Sequence, residues 1–146
     1  MEMSKEYLAG LFDGEGCIVL NRFRQAKVKK GRIHPTLGFS LIVCISNTHL
    51  PTLQEVREMY GGNIQTTKGT NRPCYTLRLL QGKKVAPFLR DLQPHARIKK
   101  SQIDLALEYI DLYTGVGNKW TSIYEREELI RHKDAYHKKF KELKRI

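Results

Sequence analysis

Between Tyr7 and Gly16 the chain reads Tyr-Leu-Ala-Gly-Leu-Phe-Asp-Gly-Glu-Gly, an apolar stretch broken by glycines and closed by two carboxylates. The spacing predicts a helix with Ser4 as its cap and Tyr7, Leu8, Leu11 and Phe12 as its apolar face. Gly10 and Gly14 are four residues apart, so they share one helical face and leave a strip without side chains. Small residues at that spacing let a second backbone approach closely, a packing logic first framed for membrane helices. Asp13 and Glu15 fall where the helix ends, and the helix dipole disfavours negative charge there unless a cation offsets it.

The 146 residues make one domain's worth of chain, enough to bury a sizeable core. Lys and Arg number 26 against 15 Asp and Glu, a net charge of +11 that suits a polyanion. Nucleic acid is the first such partner, with an acidic membrane surface as the competing reading. No apolar run approaches the ~20 residues that span a bilayer. The segment from Met1 to Glu6 lacks the basic and small-residue features of a secretion signal, so an intracellular protein is expected. Cys17, Cys44 and Cys74 form no Cys-x-x-Cys pair and are read as buried free thiols. His132 and His137 stand among lysines and glutamates with no third ligand near, and are read as surface residues.

After Gly16 the pattern becomes β-branched, and residues 17–24 are expected to form a strand. Residues 25–35, rich in lysine and arginine, read as a mobile basic hairpin tip, and 36–46 as a second strand. Leu50, Leu53, Val56 and Tyr60 mark a helix that starts near Pro51 and stops at Gly61-Gly62, with Asn47 and Thr48 as caps. A second hairpin covers 63–68 and 74–80, followed by helices at 83–92 and 101–113. Trp120 and Tyr124 are expected to anchor a final charged helix over 125–146, with Leu129, Ile130, Tyr136, Phe140 and Leu143 as a thin apolar stripe. That helix reads either as solvated and packed by its stripe or as a phosphate-contacting tail. Helix-strand-strand occurs twice, over 4–46 and 48–80, but the glycine-rich acidic motif occurs once.

Leu8 to Gly16 resembles the motif that names the LAGLIDADG homing endonucleases, with Leu8, Ala9, Gly10, Leu11, Asp13 and Gly16 identical to it. The element order is similar to that family's αββαββα core. The resemblance covers most of residues 4–113 and implies an α+β fold with a saddle-shaped antiparallel sheet. Residues 118–146 are then a C-terminal helical extension within a single domain, 1–146. It implies a metal-dependent endonuclease of double-stranded DNA, with Glu15 and the backbone carbonyl of Gly14 as ligands of Mg²⁺ or Mn²⁺. By the same resemblance Asp13 stabilises the helix end, Asn47 organises water, and Lys99 offsets charge on the phosphate. Lys100 is the alternative if the register slips by one.

A single acid centre attacks one strand, so a duplex cut asks for two copies of the chain. Leu8, Gly10, Leu11, Asp13 and Gly14 are the expected dimer face, two such helices crossing at a twofold axis. The dimer implies a long pseudo-palindromic site and a staggered cut. Strand alternation puts Asn21, Ser40, Gln65, Thr67, Thr76 and Arg78 on the polar sheet face, with Arg24 and Lys27 near the first hairpin tip. Gln65 and Arg78 have the chemistry to read adenine and guanine in the major groove. Lys29, Lys30, Arg32, Lys68 and Arg72 suit phosphates. The runner-up reading is a non-cleaving nucleic-acid binder of the same fold, either an intron RNA maturase or a DNA-binding regulator.

Overall fold

The computed structural model describes residues 3–29, 31–67, 72–80, 82–113 and 123–144, and of residues 25–29, 32–36, 82–83 and 123–126 the backbone alone. Lys30, Lys68 and Trp120 lie outside the described residues, as do the side chains of Lys27, Lys29, Arg32 and Tyr124.

The chain begins with helix α1, Lys5–Glu15, started as expected by the Ser4 hydroxyl, which accepts the Tyr7 N–H at 3.1 Å. Strands β1, Gly16–Lys29, and β2, Arg32–Asn47, follow as one long hairpin. The basic stretch read as a loose tip is therefore mostly strand. Its backbone pairs without a break from Gly16 with Ile45 to Lys29 with Arg32, and Gly31, at φ 75°, takes the turn. Helix α2, Leu50–Tyr60, leads to β3, Asn63–Thr67, and β4, Cys74–Leu80. Helices α3, Gly82–Leu92, α4, Lys100–Tyr113, and α5, Ile123–Leu143, complete the order.

The four strands form one antiparallel sheet in the order β1-β2-β4-β3, with β2 and β4 central. Period-two alternation sorts the side chains. Ile18, Leu20, Leu41, Val43, Ile45, Leu77 and Leu79 point to one side and join a single core with Phe12, Leu53, Phe88 and Ile103 from the helices. Ile42 is buried yet lies outside that core. It faces the other way, between its partners Val19 and Leu80. The sheet thus has a helix-covered inner face and an outer face of mixed polarity.

α5 is part of the fold rather than an appendage. Tyr136 and Phe140 are buried in the common core, and the Arg22 guanidinium pairs with Asp134 at 2.7 Å to hold α5 against β1. No helix among the described residues is long and apolar enough to cross a membrane.

Candidate active site and outer sheet face

α1 carries two apolar faces. Leu8, Ala9 and Phe12 are at most 1% exposed and enter the core. Leu8, expected on the dimer face, is therefore committed to the chain's own interior, and Tyr7, expected inward, is 58% exposed. The outer face carries Tyr7, Gly10 and Gly14, with Leu11 at its margin, half-buried and packed in part against the core. A Cβ placed on either Gly10 or Gly14 would meet nothing within 4 Å, so the glycine strip is uncovered by this chain. Gly16 differs: a Cβ there would run into the Phe12 ring, so the tight passage from helix to strand requires glycine.

The end of α1 separates its two acids. The Asp13 carboxylate accepts the backbone N–H groups of Arg97 at 2.9 Å and Lys99 at 3.0 Å. The Lys99 ammonium in turn donates to the Asp13 carbonyl at 2.6 Å and sits 6.0 Å from the Phe12 ring centroid. This is the cation that the dipole of α1 calls for. Lys100, the alternative to Lys99, is exposed at the start of α4. Glu15 is exposed, and among the described residues it makes no hydrogen bond or ion pair. Of the last helical carbonyls, that of Phe12 takes the Gly16 N–H and that of Asp13 takes Lys99, leaving Gly14 without a helical partner.

Asn47 arrives from the sheet. Gly16 pairs with Ile45, so Asn47 lies two residues beyond the partner of the residue that follows Glu15. Its Oδ1 accepts the His49 N–H at 2.8 Å, turning the chain toward α2, which leaves its Nδ2 as a donor. Asp13, Gly14, Glu15, Asn47 and Lys99 thus gather at one end of the sheet. One free carboxylate and one free carbonyl are hard oxygen donors that fit Mg²⁺ or Mn²⁺, ions that keep waters or phosphate oxygens in their shell. Among the described residues no cluster of three or more His, Cys, Asp or Glu side chains suited to a metal exists.

On the outer face, Asn21 pairs with Ser40, and Gln65, Thr76 and Ser46 lie in one row across three strands. Thr67, on the same face, pairs with Cys74. Arg78 stands between Cys44 and Asn63. Arg72 is exposed just before β4. Arg24, expected near the first hairpin tip, pairs instead with Leu37 well before β1 ends, on the inner side with Ile18, Leu20 and Arg22. Cys17, Cys44 and Cys74 are half-buried rather than buried, and burial raises the Cys44 thiol pKa despite the neighbouring Arg78.

Three features escaped the sequence reading. Ile98 is 76% exposed between the two amides held by Asp13; the signal was one apolar residue within Arg97-Ile98-Lys99-Lys100. Ser46, which strand alternation puts beside Ser40 on the outer face, is missing from the expected DNA-facing set; its hydroxyl lies 2.9 Å from that of Thr76. Arg22, expected simply as part of the strand over 17–24, is a tether to α5.

The sequence profile of the LAGLIDADG endonucleases matches residues 8–109. No curated protein sequence matches significantly. Among solved structures, the homing endonuclease I-TnaI is similar at 18% identity and a TM-score of 0.68, over 98% of this chain and 97% of that one. I-CvuI bound to the I-CreI target gives 16% and 0.67, over 95% and 80%. The archaeal intron-encoded I-Vdi141I bound to DNA gives 14% and 0.66, over 95% and 82%. At such identities the structural likeness speaks for the fold, while the profile spans the motif and most of the chain. This chain belongs to the LAGLIDADG endonuclease family.

Proposed function

We propose that this protein is a homodimeric, metal-dependent, site-specific endonuclease that makes a staggered double-strand cut at a long pseudo-palindromic DNA site. The observation that carries the reading is the unpaired Glu15 carboxylate, which closes a helix whose glycine strip lies open and whose end holds Lys99. Two copies joined along Tyr7, Gly10, Leu11, Gly14 and Ile98 bring two Glu15 side chains together, one for each strand. The relatives bound to DNA, I-CvuI and I-Vdi141I, support a duplex as partner, as does the +11 charge.

Glu15 and the Gly14 carbonyl hold a divalent ion, Mg²⁺ or Mn²⁺. When bound, such an ion supplies Lewis-acid polarisation and charge neutralisation at a phosphodiester. Lys99, fixed by Asp13, directs its ammonium at negative charge developing on the phosphate. The Asn47 amide orients a water at the same end of the sheet. Asn21, Ser40, Gln65, Thr67, Thr76 and Arg78 face the major groove and read base edges, and Arg72, Lys27 and Lys68 meet the backbone. Arg24, on the inner side, reaches DNA only past the sheet edge. The protein acts inside the cell, where its duplex is.

The test is selection from a duplex library with Mg²⁺, run with the native chain and with Glu15→Gln. The native protein is expected to cut the sites it binds, and Glu15→Gln to bind them uncut. A native chain that binds tightly and cuts nothing identifies a non-cleaving binder and overturns the nuclease reading. A monomeric mass on DNA would overturn the dimer.

A further inference from the structure

We propose that Lys144, at the end of α5, is a phosphate-binding residue that grips the DNA backbone beside Glu15, so that the C-terminal helix takes part in holding the duplex. This rests on the DNA-binding reading above, and goes beyond it by giving α5 a role.

α5 packs on the inner side of the sheet, against α4 and the edge strand β1, through Tyr136, Phe140 and the Arg22–Asp134 pair. Its last turn nevertheless delivers a cation to the outer side. The Lys144 ammonium donates to Cys17 Sγ at 3.7 Å. Cys17 belongs to the outer row, opposite Cys44, which is itself opposite Arg78. The Lys144 side chain therefore rounds the exposed edge of β1 and ends two residues along the chain from Glu15. The row it reaches, Cys17, Cys44, Arg78 and Asn63, contains no acid, and Cys44 lies within the influence of both Arg78 and Lys144.

A thiol is a weak acceptor and a poor permanent partner for an ammonium ion. Among the described residues no carboxylate pairs with Lys144, whereas Lys138 on the same helix has Asp134. Lys144 is exposed, so an incoming anion reaches it without displacing any packed group. On the outer face next to the cleavage end of the sheet, that anion is a phosphodiester of the bound duplex. A lysine meeting a phosphate as a point charge adds affinity without sequence preference. The competing explanation is structural: a cation at a helix C-terminus complements the dipole.

Salt dependence separates the two. Binding of a random-sequence duplex is measured against KCl for the native chain, Lys144→Gln and Lys144→Arg, with thermal midpoints as the control. Each lost phosphate contact lowers the slope of log K against log salt by about 0.9, so Lys144→Gln in a dimer is expected to lower it by about 1.8 and Lys144→Arg to restore it. An unchanged slope in Lys144→Gln overturns the proposal, and a lower thermal midpoint alongside it assigns Lys144 to the helix end alone. Failure of the native chain itself to bind duplex overturns the DNA reading instead.

Discussion

The ammonium of Lys99 lies 2.6 Å from the carbonyl of Asp13, while the carboxylate of Asp13 holds the backbone amides on either side of Ile98. The clasp is reciprocal, and it joins the end of α1 to the segment entering α4 across 86 residues of sequence. Asp13 is thus a positioning residue for Lys99. Asp13→Ala removes two hydrogen bonds to a charged acceptor, at an expected cost of about 2 kcal/mol. Misplacing a catalytic group by about 1 Å is worth on the order of 10²-fold in rate. Cleavage by Asp13→Ala is expected to fall by that much while DNA affinity holds. Exchange protection of the Lys99 amide reports the clasp directly, and unchanged protection in the variant would disprove it.

Two glycines in the same motif are expected to respond oppositely. At Gly10 an added methyl meets nothing in the chain, and alanine favours a helix over glycine by roughly 0.8–1 kcal/mol. Gly10→Ala should raise the stability of the isolated subunit and weaken self-association, because the methyl occupies the space a partner helix needs. Gly16→Ala collides with Phe12 and should cost about 1–3 kcal/mol. Denaturant melts at dilute and concentrated protein distinguish these effects. A Gly10→Ala dimer as tight as the native one would remove the strip from the interface.

Much of this was legible in the chain because its two periods are clean. The alternation through Phe39, Leu41, Val43 and Ile45 fixed the inner side of β2, and the glycine spacing fixed the open strip of α1. Leu8 and Tyr7 were misplaced for a physical reason. From Tyr7 to Phe12 α1 has no charged side chain on any face, so periodicity does not say which side is covered by its own chain. Arg24 ends the expected strand 17–24 beside a basic run that reads as a hairpin tip, whereas β1 continues unbroken to Lys29 and leaves Arg24 well short of the turn, on the inner side by parity. Lys99 came from family resemblance alone. The dipole of α1 demanded a cation, but no local pattern points to one so distant in sequence.

The thin stripe expected on α5 packs the helix down, and Phe140 is 2% exposed in the common core. Truncating a buried Phe to Ala costs about 3–5 kcal/mol. Phe140→Ala is therefore expected to lower the stability of the whole domain in one transition. A separate early transition confined to α5, seen by exchange, would instead make the helix an independent unit.

Alkaline pH is expected to destabilise the fold through its buried tyrosines. Tyr136 is pushed up to about 12 by burial, then by its hydrogen bond to Glu108 at 3.0 Å and the charge there. Burial also raises Tyr109, and burial together with the bond to Asp91 raises Tyr60. An unfolded tyrosine loses its proton near about pH 10, while the folded one keeps it. Above that pH the unfolded chain binds fewer protons, so stability falls as pH rises. The stabilisation is complete below about pH 10 and, for Tyr136, drains away toward about 12. Tyr136→Phe keeps the ring against Tyr109 and Tyr113 but removes the proton at issue. Its stability should decline less steeply than the native protein's across that interval. Parallel declines in urea melts would show that the Tyr136 hydroxyl does not contribute.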